Sequence, residues 1–320
     1  MKQGYFIIVG ILTLSFLLMP LLAVGDKPRA DTPTSADITS SNSEEKEEMV
    51  KLYVSSEEKI VEIAVSEYLI GVVAAEMPAE YHAEALKAQA LASYTYLCRK
   101  RNENAQKDYE ITDDSATDQG YISLEKRKEK WGNKAAEYEE KITQAVQSVR
   151  GKKITYNDAP ILAVYHAISP GKTESALNVW GIDEPYLQPT SCVGDLLSTD
   201  YLSEVTFSVQ DFTNAIKTLG GAPGEDPAAF LGQSEKSESG VVLKINICGT
   251  DFTGSVIRDA FALRSAAFDL SYSAEKGFVF SVKGYGHGVG MSQFGANYLA
   301  KQGSTFEEII YTFYKGVKIV

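Results

Sequence analysis

The sequence predicts an α+β fold, with mixed helices and antiparallel strands in one compact region that follows an N-terminal transmembrane helix. Three observations predict it: an uncharged apolar run at the N-terminus, apolar residues at helical spacing in the first half, and short β-branched runs in the second half. Of the 320 residues, 44% are hydrophobic and 23% are charged, which is ordinary for a globular protein. The formal net charge of -12 argues against a nucleic acid partner, because nucleic-acid binding needs clustered Lys and Arg.

Residues 1–25 are predicted to form a membrane anchor. The run from Tyr5 to Val24 carries no charge, and about 20 apolar residues cross a bilayer as a helix. Lys2 precedes the run, which favours export of the rest of the chain. The alternatives are a cleaved signal peptide, for which Ala23-Val24-Gly25 resembles a cleavage site, and a buried core helix.

Residues 26–50 are predicted to form a disordered acidic spacer. Ser, Thr, Asp, Glu and Pro dominate this stretch, and a run such as "SNSEEKEE" has no apolar surface to bury. An acidic interaction tail is the alternative to a plain tether. The remaining residues, 51–320, then form the folded domain.

The first half of this domain is predicted to contain a β-hairpin and three helices. Ser66 is suited to cap the first helix, and Pro78 stops it, because a proline pushes the residue before it out of the helical region. The predicted elements are the hairpin Lys51–Val65, the helix from Ser66, a helix from Ala83 to Asn102, an exposed loop from Ile111 to Ser123 and a helix from Lys126 to Val149.

The second half is predicted to be richer in strands. β-Branched runs mark the strands "KKITYN", "APILAVYHAIS", "GVVLKINICG" and "FVFSVKGYGHG", with a turn at Asn157-Asp158 between the first two. A short helix and a Gly/Pro-rich loop occupy Phe207 to Asp226, and the chain ends with helices from Ser292 to Gln302 and from Phe306 to Tyr314.

Glu76 is the first candidate for chemistry. It lies in the last turn of an apolar helix, where the negative end of the helix dipole and apolar neighbours both disfavour a charged carboxylate. Both effects raise the pKa, which is what a general acid working near neutral pH needs. A solvated glutamate at a helix end is the alternative.

Three other clusters of polar residues are candidates for substrate binding. Lys87 and Tyr94 share a face of the second helix, and an aromatic residue there is equally suited to the core. The strand "AVYHAISPGKTES" ends in His166, Ser169 and Lys172, which a satisfied β-turn would also explain.

The third cluster is the glycine-rich stretch "GYGHGVGMSQFGA". It carries Tyr285 and His287 and leads into a helix that begins with Ser292 and Gln293. Its glycines allow positive φ angles and close approach of the backbone to a ligand. The spacing is not that of a dinucleotide-binding motif, and His287 is open to a catalytic, a binding or a structural role.

Metal, cofactor and nucleophile chemistry find little support. The three histidines, His82, His166 and His287, lie in separate segments without metal-ligand spacing, so no metal and no cofactor are predicted. No nucleophile-elbow motif is present. Cys98, Cys192 and Cys248 form no CxxC pair; one disulfide and three free thiols remain alternatives.

Five stretches together resemble one family, the stage II sporulation protein D family. They span most of the chain from about residue 51 to the end, in the family's order. They are "EYLIGVVAAEMPAEYHAEALKAQALASYTY", "DQGYISLEKRKEKWG", "ILAVYHAISPGKTESALNVWGIDEPYL", "IRDAFALRS" and "GYGHGVGMSQFGANYLAKQGSTFEEIIYTFYKGVKI".

The resemblance implies a peptidoglycan lytic transglycosylase that cuts glycan strands stripped of stem peptides, in septal wall remodelling and engulfment during sporulation. Glu76 matches the glutamate of the family's "AxEMPA" motif, and Lys87 and Lys172 match the lysines of "EALKAQA" and "SxGKTE". A lytic transglycosylase needs only one acid/base, because a hydroxyl of the sugar replaces water. Tyr186 and Tyr285, with Tyr81, are expected to supply aromatic walls for the sugar.

The resemblance also implies partners and a location. The expected partners are peptidoglycan glycan strands, the membrane through the N-terminal helix, a membrane scaffold protein and a sporulation amidase/endopeptidase. The expected location is the cell membrane, single-pass, with the catalytic domain extracytoplasmic on the mother-cell side of the septum. The domain also resembles amidase-enhancer proteins, so a non-catalytic wall-binding enhancer or a scaffold is the alternative.

The sequence departs from the family at three places. The family usually has Arg-Thr-Tyr where this chain has Tyr94-Thr95-Tyr96, which puts the gripping of substrate in doubt. The terminal "HYY" pattern has become Thr312-Phe313-Tyr314. Some members carry a zinc site after the second helix, but this chain has no His or Cys between Arg99 and Val164, so no such site is predicted.

Overall fold

The computed structural model describes residues 47–320. The predicted anchor, residues 1–25, and nearly all of the predicted spacer lie outside the described residues. Within residues 47–320, no helix is both long enough and apolar enough to cross a membrane. The first strand begins at Met49, two residues before the predicted start of the domain.

The described residues form an α+β fold of helices and small, mostly antiparallel sheets, as predicted. The helices are α1 (Val65–Glu76), α2 (Ala83–Glu103), α3 (Leu124–Trp131), α4 (Ala135–Ser148), α5 (Ala176–Trp180), α6 (Val209–Thr218), α7 (Gly254–Ala260), α8 (Gln293–Lys301) and α9 (Phe306–Phe313). The strands are β1 (Met49–Val54), β2 (Lys59–Ala64), β3 (Ile111–Thr112), β4 (Ile154–Tyr156), β5 (Ala159–Pro160), β6 (Tyr165–His166), β7 (Leu202–Phe207), β8 (Leu231–Lys236), β9 (Val242–Ile247), β10 (Thr250–Phe252), β11 (Phe268–Ser273), β12 (Gly277–Lys283), β13 (Met291–Ser292) and β14 (Lys318–Ile319).

The larger of the two main hydrophobic cores is built around α2. Its alanines, such as Ala85, Ala88 and Ala92, are completely buried, and their small side chains let α1, α4, α8 and α9 pack closely against it. Most of the apolar residues before residue 188 and after residue 288 belong to this core. The end of α1, which carries Glu76, is therefore held by packed neighbours.

The second core is rich in phenylalanine and lies in the segment between β7 and β12. The rings of Phe212 and Phe278 stack with centroids 3.7 Å apart, and Phe280 and Phe261 pack around them. Two antiparallel sheets, in the orders β11-β12-β7 and β10-β9-β8, carry this core. The chain then returns to the first core through the glycine-rich loop.

The glycine-rich loop is fixed by a single bridge between Ile168 and Tyr285 at its start and by a short strand pair at its end. β13 pairs in parallel with β6, which brings Ser292 beside His166. Gly290 has φ +71°, and a Cβ there would lie 2.1 Å from the Val164 carbonyl oxygen. Only glycine fits this position, so the loop approaches the end of β6 as closely as the backbone permits.

Three local predictions were wrong. The helix predicted from Lys126 to Val149 is broken into α3 and α4, because Gly132 adopts φ +54°. Ser66 does not cap α1: the helix begins one residue earlier, and the Ser66 hydroxyl donates to Glu47 instead. The segment predicted as an exposed loop, Ile111 to Ser123, begins with strand β3, which pairs in parallel with β1, and several of its side chains are buried.

The course of this loop is decided by one close contact. Tyr121 packs on Gly71 of α1, where a Cβ would lie 2.3 Å from the tyrosine ring. The Ile122 N–H donates to the Gly71 carbonyl, 3.3 Å away. The absence of a side chain at residue 71 therefore lets the segment from Ser115 to Ile122 lie directly over the end of α1.

Candidate functional site

Glu76 is the last residue of α1. The N–H of Met77 still closes the helix by donating to the Val73 carbonyl, and Pro78 follows at once. The negative end of the helix dipole therefore lies at the Glu76 carboxyl group and disfavours its charged form. The position predicted from the sequence is the position found.

The surroundings of Glu76 keep its carboxyl group largely out of water. The backbone N–H of Gly120 donates to its Oε1 at 2.8 Å, from the loop that Tyr121 holds over α1. Burial raises the pKa of Glu76, and the Gly120 hydrogen bond, the Gln293 side chain and the charge of Lys130 oppose this rise without cancelling it. The carboxyl group thus keeps its proton to a higher pH than an ordinary glutamate.

Glu76 faces a cavity of about 270 Å³, called the Glu76 cavity below. Six separate segments line it: the end of α1, the middle of α2, the loop over α1, the region of strand β6, the end of α5, and the glycine-rich loop. The lining residues are Glu76, Tyr96, Ser115, Ala116, Thr117, Asp118, Gln119, Val164, Tyr165, Trp180 and His287.

A chain of neutral hydrogen-bonding groups lies along one wall of the Glu76 cavity. The Tyr165 hydroxyl donates to Gln119 Oε1 at 2.8 Å, and Gln119 Nε2 donates to the Tyr68 hydroxyl at 3.0 Å. Burial raises the pKa of both tyrosines well above the ordinary value, so both stay uncharged. This wall offers no positive charge that would draw the proton from Glu76.

Asp118 is the other carboxylate that lines the cavity, and its oxygens are already engaged. Oδ1 pairs with the Lys100 ammonium at 2.9 Å and accepts the Tyr96 hydroxyl at 3.3 Å. Oδ2 accepts the Thr112 N–H at 3.0 Å. Asp118 therefore ties the loop to α2 as a paired anion.

His287 and Trp180 close the opposite side of the cavity. Their ring centroids are 4.9 Å apart, and His287 also meets His166 at 5.7 Å. Burial lowers the pKa of His287 to about 3, helped by His166 and Arg258 and opposed by a hydrogen bond with the Tyr165 backbone. His287 is thus a neutral wall residue at physiological pH.

His166 lies behind His287 and is buried. Its Nδ1 donates to the Val289 carbonyl at 3.0 Å, which leaves Nε2 unprotonated. Within residues 47–320 this Nε2 has no hydrogen-bond partner. His166 is therefore held by the glycine-rich loop and stands one layer away from the cavity.

Seven other residues predicted to bind substrate lie elsewhere. Lys87 pairs with Glu84, and Lys172 pairs with Glu238. The remaining five are Tyr94, whose hydroxyl donates to Glu48; Ser169 and Ser292, which are buried and hydrogen-bond Asp195; Tyr186, which is buried against Arg99 and Leu162; and Tyr285, which is exposed beneath Arg264.

Gln293 remains beside Glu76, where it lowers the carboxyl pKa while its Nε2 donates to Gln89 at 3.3 Å. Tyr94, which replaces the arginine usual in the family, does not line the Glu76 cavity.

The sequence-based interpretation did not single out several lining residues. Tyr96, Gln119, Tyr165 and Trp180 lie within the stretches that resemble the family, but nothing local marks them as cavity residues, because each enters the cavity through packing between distant segments. The clearest signal in the sequence is the stretch "DQGYI", which carries Asp118 and Gln119 and opens one of the five stretches that resemble the family.

Across the part of the chain that the structure describes, no three His, Cys, Asp or Glu side chains come together as a metal site. Cys98, Cys192 and Cys248 are all free thiols.

Comparison with known proteins gives a consistent result. A family described as "Stage II sporulation protein" matches residues 53–156. Stage II sporulation protein D of Bacillus amyloliquefaciens is 37% identical over 273 residues, covering 84% of this chain and 78% of that protein. Stage II sporulation protein D of Bacillus subtilis (strain 168) is 34% identical over 280 residues, with the same coverage of 84% and 78%.

A more distant relative bears a different name. The protein called Amidase enhancer of Bacillus subtilis (strain 168) is 24% identical over 303 residues, covering 78% of this chain but only 40% of that protein. The identity and mutual coverage of the first two relatives decide the assignment. This chain belongs to the stage II sporulation protein D family.

Proposed function

We propose that this protein is a peptidoglycan lytic transglycosylase in which Glu76 is the single acid/base. The observation that carries the proposal is the state of the Glu76 carboxyl group. It lines a cavity, burial raises its pKa, and a single backbone N–H donates to it at 2.8 Å. A carboxyl group whose pKa is raised above the ordinary value is suited to act as a general acid.

The proton of Glu76 belongs on Oε2. Oε1 already accepts the Gly120 N–H, and an oxygen engaged in that way is the poorer site for a proton. In the first step Oε2–H protonates the glycosidic oxygen, and the bond between that oxygen and the muramoyl C1 breaks. The acid becomes a carboxylate, and positive charge develops at C1.

The second step restores the enzyme. The Glu76 carboxylate takes the proton from the 6-hydroxyl of the same muramoyl residue. The oxygen of that hydroxyl then bonds to C1 and closes a 1,6-anhydro ring. The proton from the 6-hydroxyl leaves the Glu76 carboxyl group protonated, as it was at the start of the cycle. No water is consumed or released.

The other groups in the cavity support one acid rather than two. A hydrolase that inverts or retains configuration uses a second free carboxylate. Asp118 is the only other carboxylate in the lining, and Lys100, Tyr96 and Thr112 occupy its oxygens. His287 is neutral and too weak a base to accept the proton at neutral pH.

The biological setting is part of the proposal. Two relatives are named stage II sporulation proteins, and one is named an amidase enhancer. We place the activity in septal wall remodelling and engulfment during sporulation, with the N-terminal segment as a single-pass membrane anchor. The domain would act outside the cytoplasm, on the mother-cell side of the septum, on peptide-free glycan strands beside an amidase/endopeptidase and a membrane scaffold protein.

The second candidate function is a non-catalytic enhancer of a wall amidase. The name of the relative called Amidase enhancer favours it. Such a module would need the cavity walls but no acid at residue 76.

One experiment separates the two functions. The full chain is incubated with peptide-free glycan strands beside Glu76→Gln, and the products are analysed by mass spectrometry. The proposal expects fragments with 1,6-anhydro ends from the unsubstituted protein and none from Glu76→Gln. Reducing ends would indicate hydrolysis, and intact strands from the unsubstituted protein would favour the enhancer.

A further inference from the structure

A second cavity adjoins the Glu76 cavity. It has a volume of about 300 Å³ and shares two walls, Trp180 and His287, with the first. Its remaining walls come from α5, β9 and α7, which belong partly to the phenylalanine-rich core. We call it the Arg258 cavity, lined by Asn178, Val179, Trp180, Val241, Val242, Leu243, Thr253, Gly254, Ser255, Arg258, Asp259, Ala266 and His287.

The two cavities together match an extended ligand. Small-molecule sites occupy about 300–1,000 Å³; the Arg258 cavity lies at the lower limit of that range and the Glu76 cavity lies just below it. Trp180 is 39% exposed, lines both cavities and has its ring beside that of His287. A sugar chain that passes from one cavity to the next would stack on this ring.

Arg258 gives the second cavity a charge that the first lacks. It is partly buried, and its Nε donates to the Leu263 carbonyl at 3.3 Å. Across residues 47–320, no carboxylate lies within salt-bridge distance of its guanidinium group. Most of the guanidinium donors are thus left for a ligand, and a carboxylate is the partner that they suit best.

One negative charge also lines this cavity. Asp259 follows Arg258 on α7, is exposed and forms no ion pair with it. Its carboxylate reduces the positive potential of the cavity without occupying the guanidinium group. An anion that enters is therefore recognised by direct contact with Arg258 rather than by a broadly positive surface.

We propose that the Arg258 cavity is a sugar subsite that binds the carboxylate of an acidic sugar of the same strand whose scissile bond lies at Glu76. The inference rests on the proposed function for the identity of the strand. In a peptidoglycan strand the acidic sugar is the muramoyl residue, whose carboxylate is free only where no peptide is attached. Arg258 would then select peptide-free residues, because an amide at that place carries no charge.

The test uses equilibrium binding, which does not depend on turnover. The full chain carrying Glu76→Gln is titrated with two glycan strands of equal length, one with free carboxylates and one with the carboxylates converted to methylamides. The free strand is expected to bind about tenfold more tightly, as a charge-assisted hydrogen bond supplies. The difference is expected to shrink at high salt, because the pair is only partly buried.

Three further substitutions assign the difference. Arg258→Gln is expected to weaken binding of the free-carboxylate strand to the level of the methylamide strand. Binding of the methylamide strand should not change. Arg258→Lys keeps a charge but loses the bond to Leu263, so it is expected to retain part of the preference. Lys276→Gln removes an exposed cation outside both cavities and is expected to change nothing.

Two results would overturn the proposal: a preference that survives Arg258→Gln, or equal weakening of both strands by Arg258→Gln and Arg258→Lys. The second would show that Arg258 supports the loop at Leu263 instead. Thermal unfolding of each variant reports whether it is folded. The catalytic proposal can fail separately. A protein that binds the two strands with different affinity but never cleaves them would support the subsite and contradict the transglycosylase activity.

Discussion

Two glutamates of this protein are shielded from solvent, but their pKa values are shifted in opposite directions. Glu174, just before α5, is 1% exposed and accepts hydrogen bonds from the Ser175 N–H at 2.8 Å, from Asn178 Nδ2 at 2.9 Å and from the Ser239 hydroxyl. Burial acts to raise the pKa of Glu174, but the donors from Ser237, Ser239, Ser175 and Asn178 outweigh it and lower the pKa. Glu174 is a carboxylate that the fold has surrounded with donors.

Glu76 has far fewer donors. The Gly120 N–H and the Gln293 side chain supply hydrogen bonds, Lys130 supplies charge, and burial still dominates so that the pKa is raised. The comparison shows that burial alone does not decide the state of a carboxyl group. The number of donors that the fold directs at it does.

The two states suit two purposes. The Glu174 carboxylate holds the start of α5 to the Ser237–Ser239 turn. The backbone N–H of Glu174 donates to the Gly288 carbonyl of the glycine-rich loop at 2.7 Å. Glu76 holds nothing comparable in place and instead faces a cavity. The first side chain is fitted to stabilise the fold, and the second has the setting that the proposed acid/base role requires.

The largest expected effect is the loss of catalysis in Glu76→Gln. The rate of glycan cleavage should fall about 10²–10⁴-fold, the usual contribution of a general acid/base. The melting temperature at neutral pH should not fall, because the amide is neutral and burial disfavours the carboxylate. Glu129→Gln, an exposed glutamate on α3, is the matched control and should change neither quantity. A large loss of stability in Glu76→Gln would show that Glu76 is structural after all.

The reciprocal substitution, Glu174→Gln, should affect stability first. An amide cannot accept from all the donors that now meet the carboxylate, so the free energy of unfolding should drop by about 1.5–3 kcal/mol. Urea denaturation at neutral pH measures it, and cleavage by the protein that remains folded should be nearly unchanged. A stable variant with lost activity would reverse the roles assigned to the two glutamates.

The pH dependence of stability should separate the two groups by sign. A glutamate has an ordinary pKa of 4.5, and the raised pKa of Glu76 means that the folded state binds its proton more tightly than the unfolded state. Its contribution to stability therefore decreases as the pH rises from 4.5 to the folded pKa. The lowered pKa of Glu174 gives a contribution that is present above 4.5 and lost as the pH falls through the folded pKa.

Unfolding free energies measured between about pH 3 and pH 8 test both signs. The difference between unsubstituted protein and Glu76→Gln should change on the alkaline side of 4.5, and that for Glu174→Gln on the acid side. Equal slopes for the two variants would contradict the comparison.

The smallest expected effect comes from Lys130→Gln. Lys130 Nζ donates to the Ala74 carbonyl at 2.8 Å, and its charge lowers the pKa of Glu76. Without that charge Glu76 should keep its proton longer, and the alkaline limb of the activity profile should move to higher pH by less than about one unit. Lys128→Gln on the same helix is the control. A shift to lower pH, or the same shift in the control, would exclude Lys130 as a neighbour that tunes the acid.

The sequence predicted the local parts of this structure well. The end of α1 at Pro78 and the start of α8 at Ser292 depend on residues close together in the chain, and both were found where expected. Ser292 caps α8 by accepting the Gly295 N–H at 3.1 Å. The helix break at Gly132 was missed because its charged neighbours continue the helical pattern on both sides.

The surroundings of Glu76 were beyond local patterns. The loop lies over α1 because Tyr121 packs on Gly71, a contact between residues 50 positions apart that no periodicity reveals. Asp195 was missed for the same reason, although it is completely buried and binds Ser169 and Ser292. Motifs located Glu76, but long-range packing determines what surrounds it.

The central claim is that Glu76 keeps its proton at a pH where an ordinary glutamate has lost it. The direct measurement is the titration of the Glu76 carboxyl carbon by NMR in the full chain, assigned by its absence in Glu76→Gln. The expected result is a pKa above the ordinary value of 4.5, with Glu174 titrating below that value in the same spectra. A Glu76 carboxyl that titrates at or below 4.5 would contradict the account.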